Sequence, residues 1–262
     1  MNELTKHKNP NWTENELKMA ISLYGKIPFK SSRKTSPEIV KWAKVIGRSP
    51  GGLYTKLCNL GRCDKAMQNM GVKGLSHGGK LEPIIWKQFE EDPERIIFEG
   101  QQLLAERMNV TVEEFSGIDT KTLPTGKERK VTIRQRVGQS FFREAVLSAY
   151  NNHCCITGIS NSPLLEACHI SGWADDTRNR TNPKNGLCMT PTFHRAYDKY
   201  LLAITPDYEI VVSEQMIEGA ENEQTRRYLT SLQRKKMLMP EKFAPNVELL
   251  AQHYDAYLKA AV

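Results

Sequence analysis

The sequence lacks the long apolar runs of a membrane protein and the cysteine pattern of a secreted or zinc-knot protein. No apolar run approaches the roughly 20 residues that span a bilayer, and the opening stretch MNELTKHKNPNWTENE has no apolar signal segment. The six cysteines form no Cys-x-x-Cys pair and no regular spacing, which argues against a disulfide framework or a structural zinc site. We therefore expect a cytoplasmic protein without a membrane partner.

Acidic residues are scarce in the first part of the chain. Residues 1–80 contain 15 Lys and Arg against 5 Asp and Glu, a net charge of +10, whereas residues 81–110 carry −4 and the remainder +1. A concentrated positive charge attracts polyanions and releases their counterions on binding, so double-stranded DNA is the expected partner. The alternative is a solvated basic surface with no ligand.

The length of 262 residues and the change of pattern along the chain predict two structural units. Residues 1–109 form a helical DNA-reading and scaffold domain in this interpretation. Residues 110–126 have few periodic apolar positions and are expected to be a linker. Residues 127–262 form the second domain, in which short strands and helices are expected. A helical domain followed by such a domain predicts the α+β fold class.

Three short helices are predicted near the N-terminus. Thr13 and Glu16 fit a capping box for the helix in NWTENELKMAISLYG, which Gly25 would end, and EIVKWAKVIG is amphipathic. Ser49 is a natural N-cap for RSPGGLYTKLCNLG. A helix pair broken near Asp92 and Pro93 follows.

This N-terminal arrangement resembles trihelical helix-turn-helix modules, including Myb-like ones, whose last helix enters the major groove. The resemblance implies contacts to bases or phosphates from the start of the third helix, by Arg48, Ser49, Tyr54 and Lys56. It implies contacts to backbone phosphates from Arg33, Lys34, Lys41 and Lys44. The alternative is a packing or dimerisation domain whose charges are merely exposed.

The second half begins with a basic segment. KERKVTIRQRVGQSFFREAVLSAY predicts a basic strand or arm that becomes an amphipathic helix. Six basic residues and one acid lie between positions 127 and 143, which makes this segment a second candidate for phosphate contact. The basic residues are Lys127, Arg129, Lys130, Arg134, Arg136 and Arg143.

Short strands and one helix are predicted next. CCITG and LLEACHI are interpreted as two strands joined by ISNSP, and NPKNGLCM as a turn before another strand. Thr190 and Pro191 then begin the helix of TPTFHRAYDKYL. A hairpin in LLAITPDYEIVVS and two helices, the last in NVELLAQHYDAYLKAA, complete the chain.

Within this order, His169, Asn185 and His194 stand 16 and then 9 residues apart. From about residue 134 to residue 204 the chain resembles the HNH nuclease family, through FFREAVLSAY, CCITG, LEACHI, NGLCM and FHRAYDKYLLAI. The LEA-x-HI and H-x-A-x-D forms resemble a branch of presumed restriction endonucleases with helical N-terminal regions. The resemblance implies a small ββα-metal nuclease domain with flanking helices.

The resemblance also implies roles for individual residues. His169 would be the base, Asn185 would fix the loop by backbone hydrogen bonds, and His194 would bind a divalent cation, Mg²⁺ or else Mn²⁺. Asp198 lies four residues after His194, so it faces the same way on a helix and is a second ligand or an orienting group. Arg195, on the same helix, is expected either to contact a phosphate or to lie on the helix surface without a ligand.

One residue departs from the family pattern. Family members often carry an aspartate or histidine ligand immediately before the base, where this chain has Cys168. A thiol is a poor ligand for Mg²⁺ and a better one for softer metals. Either His194 and Asp198 hold the cation with waters, which we favour, or Glu166 supplies an oxygen. Strand alternation places Glu166 and His169 on opposite faces.

These features predict a metal-dependent DNA endonuclease used in restriction of foreign DNA. A homodimer is expected because two-fold symmetry matches a palindromic site, and a cognate DNA methyltransferase would be encoded nearby. The alternatives are a nicking or homing nuclease of a mobile element and a catalytically inactive DNA-binding regulator.

Overall fold

The chain has an α+β fold in which a helical N-terminal half precedes two short strand pairs set among helices. The computed structural model describes residues 10–28, 31–69, 71 and 79–260. Most of the Gly-rich segment that precedes Leu81 lies outside the described residues. No helix within those described ranges is both long enough and apolar enough to cross a bilayer.

The three predicted N-terminal helices are present as α1 (Glu14–Lys26), α2 (Pro37–Ile46) and α3 (Pro50–Gly61). The capping box of α1 is formed as expected. Gly25 does not end α1, contrary to the prediction, but lies inside its last turn. A Cβ at Gly25 would come within 2.6 Å of the Phe141 ring, so this glycine allows close packing rather than a helix stop.

The scaffold helices follow as α4 (Lys65–Asn69), α5 (Leu81–Glu91) and α6 (Pro93–Arg107). The break between α5 and α6 falls at Asp92, which caps α6 by accepting from the Arg95 amide. The predicted linker contains α7 (Val112–Phe115) and a 3₁₀ turn at Thr120–Thr122. The Phe115 ring lies 5.9 Å from that of Trp42, so this segment packs on the N-terminal helices. The domain boundaries themselves stay a prediction.

The basic segment is helical throughout, and the prediction that it starts as a strand or arm was wrong. Helix α8 runs without interruption over Lys127–Ala149. Ile133, Val137 and Phe141 recur every four residues and are buried on one face. That helical period, together with good helix formers between these positions, outweighs the β-branched residues.

The strand that contains the histidine pairs with a different partner from the one predicted. Strand β1 (Glu166–His169) is antiparallel to β2 (Gly186–Met189), and helix α9 (Pro191–Asp198) follows. Residues 154–158 form a turn instead of the expected strand, because the Gly158 amide donates to the Cys154 carbonyl at 2.9 Å. The Cys155 amide still donates to the Cys188 carbonyl, which holds this turn against β2.

The predicted second hairpin and final helices are present. Strands β3 (Leu202–Ile204) and β4 (Ile210–Val212) pair antiparallel, and α10 (Glu214–Glu218), α11 (Glu223–Leu232) and α12 (Val247–Ala260) follow. The buried face of α12 contains Leu249, Leu250 and Tyr257. Val247, the first residue of α12, has an exposed side chain.

A buried lysine joins the C-terminal segment to the first helix. Lys242 donates to the carbonyls of Tyr24, Gly25 at 2.8 Å and Ile27 at 2.7 Å. These carbonyls lie at the end of α1, where helix carbonyls lack intrahelical partners. Burial lowers the pKa of Lys242 to about 7. The next residue, Phe243, donates its amide to Asp64 at 2.8 Å, so both halves of the chain share one core.

Replacing this lysine tests the connection. We expect Lys242→Met to lower the free energy of unfolding by about 3 kcal/mol, because three buried carbonyls lose their donor. Lys235→Met changes an exposed lysine in the same segment and should be nearly neutral. Equal melting temperatures for the two variants in thermal unfolding would contradict this account.

Candidate active site

Strand β1, the loop after it and helices α9 and α12 line a cavity of about 370 Å³. Strand β1 contributes His169 to the cavity, and α9 contributes His194 and Asp198. Trp173 and His253, from the loop after β1 and from α12, line other parts of its wall. The two predicted catalytic histidines therefore lie in the same cavity, although 25 residues separate them in the sequence.

The ring of His169 is held on several sides. It stacks on Phe142 of α8 at 3.8 Å between centroids, and Trp173 approaches it edge-on at 5.7 Å. Nε2 of His169 lies 2.9 Å from the Arg180 carbonyl oxygen. A carbonyl only accepts, so the proton of the neutral ring is on Nε2 and the lone pair is on Nδ1. Burial lowers the pKa of His169, which favours this neutral form.

Asn185 ties the loop between β1 and β2 to the end of β1. Its side chain is fully buried, and Oδ1 accepts from the Ser171 amide at 2.8 Å. Nδ2 donates to the carbonyls of Ser171 at 3.0 Å and Asn179 at 3.4 Å. The Asn185 carbonyl accepts from the Ile170 amide at 2.9 Å. These bonds pin the backbone on the C-terminal side of His169.

The N-terminal helices also hold the loop that contacts His169. Arg180 donates to Glu94 of α6 at 2.6 and 2.8 Å, and both side chains are 15% exposed. The Arg180 guanidinium lies 5.1 Å from the centre of the Trp173 ring. Since the Arg180 carbonyl bonds His169, α6 contributes indirectly to the position of that ring.

His194 is flanked by acids at both ring nitrogens. Nδ1 lies 2.6 Å from Oε2 of Glu166, and Nε2 lies 3.6 Å from Oδ2 of Asp198 one turn further along α9. Ligand atoms of Cys168, His194 and Asp198 all lie within 4.8 Å of one another. One imidazole, one carboxylate and one thiol at this separation fit a single divalent cation.

The sequence did not predict where two residues near the cavity, Glu166 and His253, would lie. Glu166 was considered as a metal ligand, whereas its carboxylate contacts His194 directly. His253 comes from α12, stacks on Tyr197 at 3.6 Å and lies 3.2 Å from its carbonyl oxygen through Nε2. Burial lowers the pKa of His253 to about 4. No local pattern could indicate this contact, because 56 residues separate the two partners.

Several residues of the predicted DNA-contacting set are exposed. On the N-terminal helices and on α8 and α9 these are Arg33, Lys34, Lys41, Lys44, Ser49, Lys127, Lys130, Arg143 and Arg195, while Tyr54 and Arg129 are partly buried. Arg143 lies beside β1, since its guanidinium donates to the Leu165 carbonyl at 2.9 Å.

Other members of the set are engaged inside the chain. Arg48 pairs with Glu16 at 2.7 Å and Lys56 with Glu82 at 2.5 Å, with about a tenth of each basic side chain exposed. Two arginines of α8 are partly engaged as well: Arg134 pairs with Glu94 at 3.0 Å and Arg136 donates to Thr122 at 2.6 Å. Arg48 and Lys56 are therefore paired with acids in the packing around α1, α3 and α5.

The elements of this site coincide with a known family. Residues 154–205 match the family model described as HNH endonuclease. The chain carries an HNH endonuclease domain. The matched stretch contains β1, β2 and α9, and with them His169, Asn185 and His194. No curated protein matches the chain.

The loop-fixing asparagine of the HNH domain can be tested directly. We expect Asn185→Ala to lower the free energy of unfolding by about 2 kcal/mol, because buried backbone groups lose their partners. Hydrogen exchange at the Ser171 amide should accelerate. Asn161→Ala, at an exposed asparagine, should leave this amide unchanged. Unaltered protection of Ser171 in Asn185→Ala would refute the assignment.

Proposed function

We propose that this protein is a metal-dependent DNA endonuclease that restricts foreign DNA in the cytoplasm. The observation that supports it most directly is that His169, His194 and Asp198 line the same cavity in an HNH domain. A base beside a cation site is the combination that phosphodiester hydrolysis requires. HNH nucleases generally use a divalent metal, and the ligand atoms near His194 fit one.

The proton acceptor in this proposal is Nδ1 of His169. Nε2 is committed to the Arg180 carbonyl, so Nδ1 is the nitrogen with a free lone pair. It would take a proton from the attacking water. The stacking of the ring on Phe142 restricts rotation, which keeps the lone pair in one direction.

The cation would be bound by His194 and Asp198. When bound, it supplies positive charge that stabilises the phosphate oxygens and the leaving 3′ oxygen. The carboxylate of Glu166 accepts a hydrogen bond from Nδ1–H of His194, so Nε2 is the nitrogen available to the cation. If these two side chains are the only protein ligands, Mg²⁺ with a shell of waters is the expected ion.

The DNA would meet the chain on the exposed basic residues. Arg143 and Arg195 lie next to the catalytic elements and are placed to contact phosphates near the scissile bond. Lys41 and Lys44 on α2 would contact phosphates further away. Arg48 and Lys56 are left out of this interface because acids inside the chain pair with them.

Restriction adds two expectations about partners. Cutting both strands with one active site per chain favours a homodimer on a two-fold symmetric site. Host DNA would then need protection by a cognate methyltransferase encoded nearby. A nicking or homing nuclease would instead leave single-strand cuts or act on one rare site, which separates it from the restriction proposal.

The central experiment compares cleavage by the wild type and His169→Ala. Purified protein would be incubated with modified and unmodified phage and plasmid DNA and Mg²⁺ or Mn²⁺. Discrete, metal-dependent fragments are expected, with a loss of roughly 10²-fold to 10⁴-fold in rate for His169→Ala. His153→Ala, at an exposed histidine, is the matched control and should cut normally.

The outcomes of this experiment separate the candidate functions. End sequencing of discrete fragments would identify the recognition site. Tight DNA binding without cleavage by the wild type, on every DNA and metal, would reject the nuclease and favour the DNA-binding regulator. Equal cleavage by wild type and His169→Ala would reject His169 as the base.

Glu166 provides a separate prediction about the cation. Removal of the carboxylate in Glu166→Ala should raise the cation concentration for half-maximal cleavage by roughly 10-fold to 100-fold, since His194 loses its orienting partner. Glu166→Gln keeps an oxygen acceptor and should have a smaller effect. Glu218→Gln, at an exposed acid, is the control. Identical cation titrations for all three variants would show that Glu166 does not orient His194.

A further inference from the structure

The buried thiol of Cys168 lies beside His194 and Asp198, and in this it differs from the other buried thiols of the HNH domain. Strand alternation turns Cys168 and Glu166 to the same face of β1, toward α9. Cys168 is fully buried, and Sγ is within 4.8 Å of ligand atoms of both His194 and Asp198. In the described chain, Cys188 has no comparable imidazole and carboxylate around it.

The contacts of the two His194 ring nitrogens indicate which of them can share a cation with the Cys168 thiol. Nδ1 of His194 is bonded to Glu166 at 2.6 Å, whereas Nε2 faces Asp198 at 3.6 Å. A cation between Nε2 and Asp198 would therefore lie where Sγ of Cys168 can also reach it. The thiol has only a weak alternative partner, the adjacent His169 carbonyl at 3.5 Å.

The chemistry of this ligand set favours a different class of metal from Mg²⁺. Thiolate, imidazole and carboxylate together bind Zn²⁺, Co²⁺ and Cd²⁺ well, while Mg²⁺ requires nearly all-oxygen octahedral coordination. Three protein ligands with an open fourth position also match the arrangement of catalytic zinc sites. The open position would remain for water or a phosphate oxygen.

We propose that Cys168 is a third protein ligand of the cation, and that the site therefore binds thiophilic divalent ions in preference to Mg²⁺. The inference rests on the proposed function for the location of the cation. On binding, the S–H bond breaks, the proton leaves to the buffer, and the sulfur lone pair forms the bond to the metal. No oxidant or reductant is required.

Cobalt makes the proposed bond visible. The full-length reduced protein would be titrated with Co²⁺ and followed by absorption, since a thiolate bound to Co²⁺ produces a charge-transfer band in the near-ultraviolet. Cys168→Ser should lose this band and bind Zn²⁺ about 10-fold to 100-fold more weakly. Cys188→Ser should retain the band, because Cys188 pairs with Ala167 on the other face of the hairpin.

A second variant covers the case in which serine disturbs folding. Cys168→Asp places an oxygen ligand at the same position, so it should lose the Co²⁺ band and bind Mg²⁺ more tightly in calorimetry. Absence of the band in the wild type, whether or not Co²⁺ binds, would overturn the proposal. Retention of the band in a folded Cys168→Ser or Cys168→Asp variant would overturn it equally.

The absorption result and the cleavage result are independent. Metal-dependent cleavage without a thiolate band would leave the nuclease intact and reject Cys168 as a ligand. A thiolate band that requires Cys168 and His194, without cleavage of any DNA, would support the metal site and reject the nuclease.

Discussion

The close approach of the first strand pair to α8 is the constraint on which the site depends. His169 lies opposite Gly186 in the register, and a Cβ at Gly186 would come 2.3 Å from Val146 and 3.0 Å from Phe142. The missing side chain lets β2 sit directly on the helix. Phe142 can then stack on the His169 ring, while Nε2 of that ring donates to the Arg180 carbonyl. A larger residue at position 186 would separate the strand pair from its support.

The predicted catalytic residues lie within the matched HNH stretch, whereas contacts from other parts of the chain hold them in position. Glu94 of α6 holds Arg180, and through the Arg180 carbonyl it supports His169. Lys242 attaches the segment before α12 to the end of α1 by hydrogen bonds to three carbonyls. The helical half therefore helps to position the His169 ring.

Local patterns predicted several elements well, but they failed where contacts between distant parts of the chain determine the structure. The capping box of α1, the Pro-initiated α3 and α9 and the break at Asp92 have local causes, and each is present. The segment CCITG has strand-like composition, but a tight turn closes on Gly158 and β2 takes its place beside β1. The ion pairs of Arg48 and Lys56 have no local signal, because their acidic partners lie 32 and 26 residues away.

From the order of residues alone came the resemblance to the HNH family, the helix that contains His194, and the spacing of His169, Asn185 and His194. These follow from side-chain chemistry and local spacing, which the order of residues contains directly. Three features became known only from the folded chain: Glu166 bonds His194, Cys168 lies beside Asp198, and Nδ1 of His169 is the free nitrogen. Each of these depends on the register of two strands and the packing of helices distant in the chain, and such distances arise only after folding.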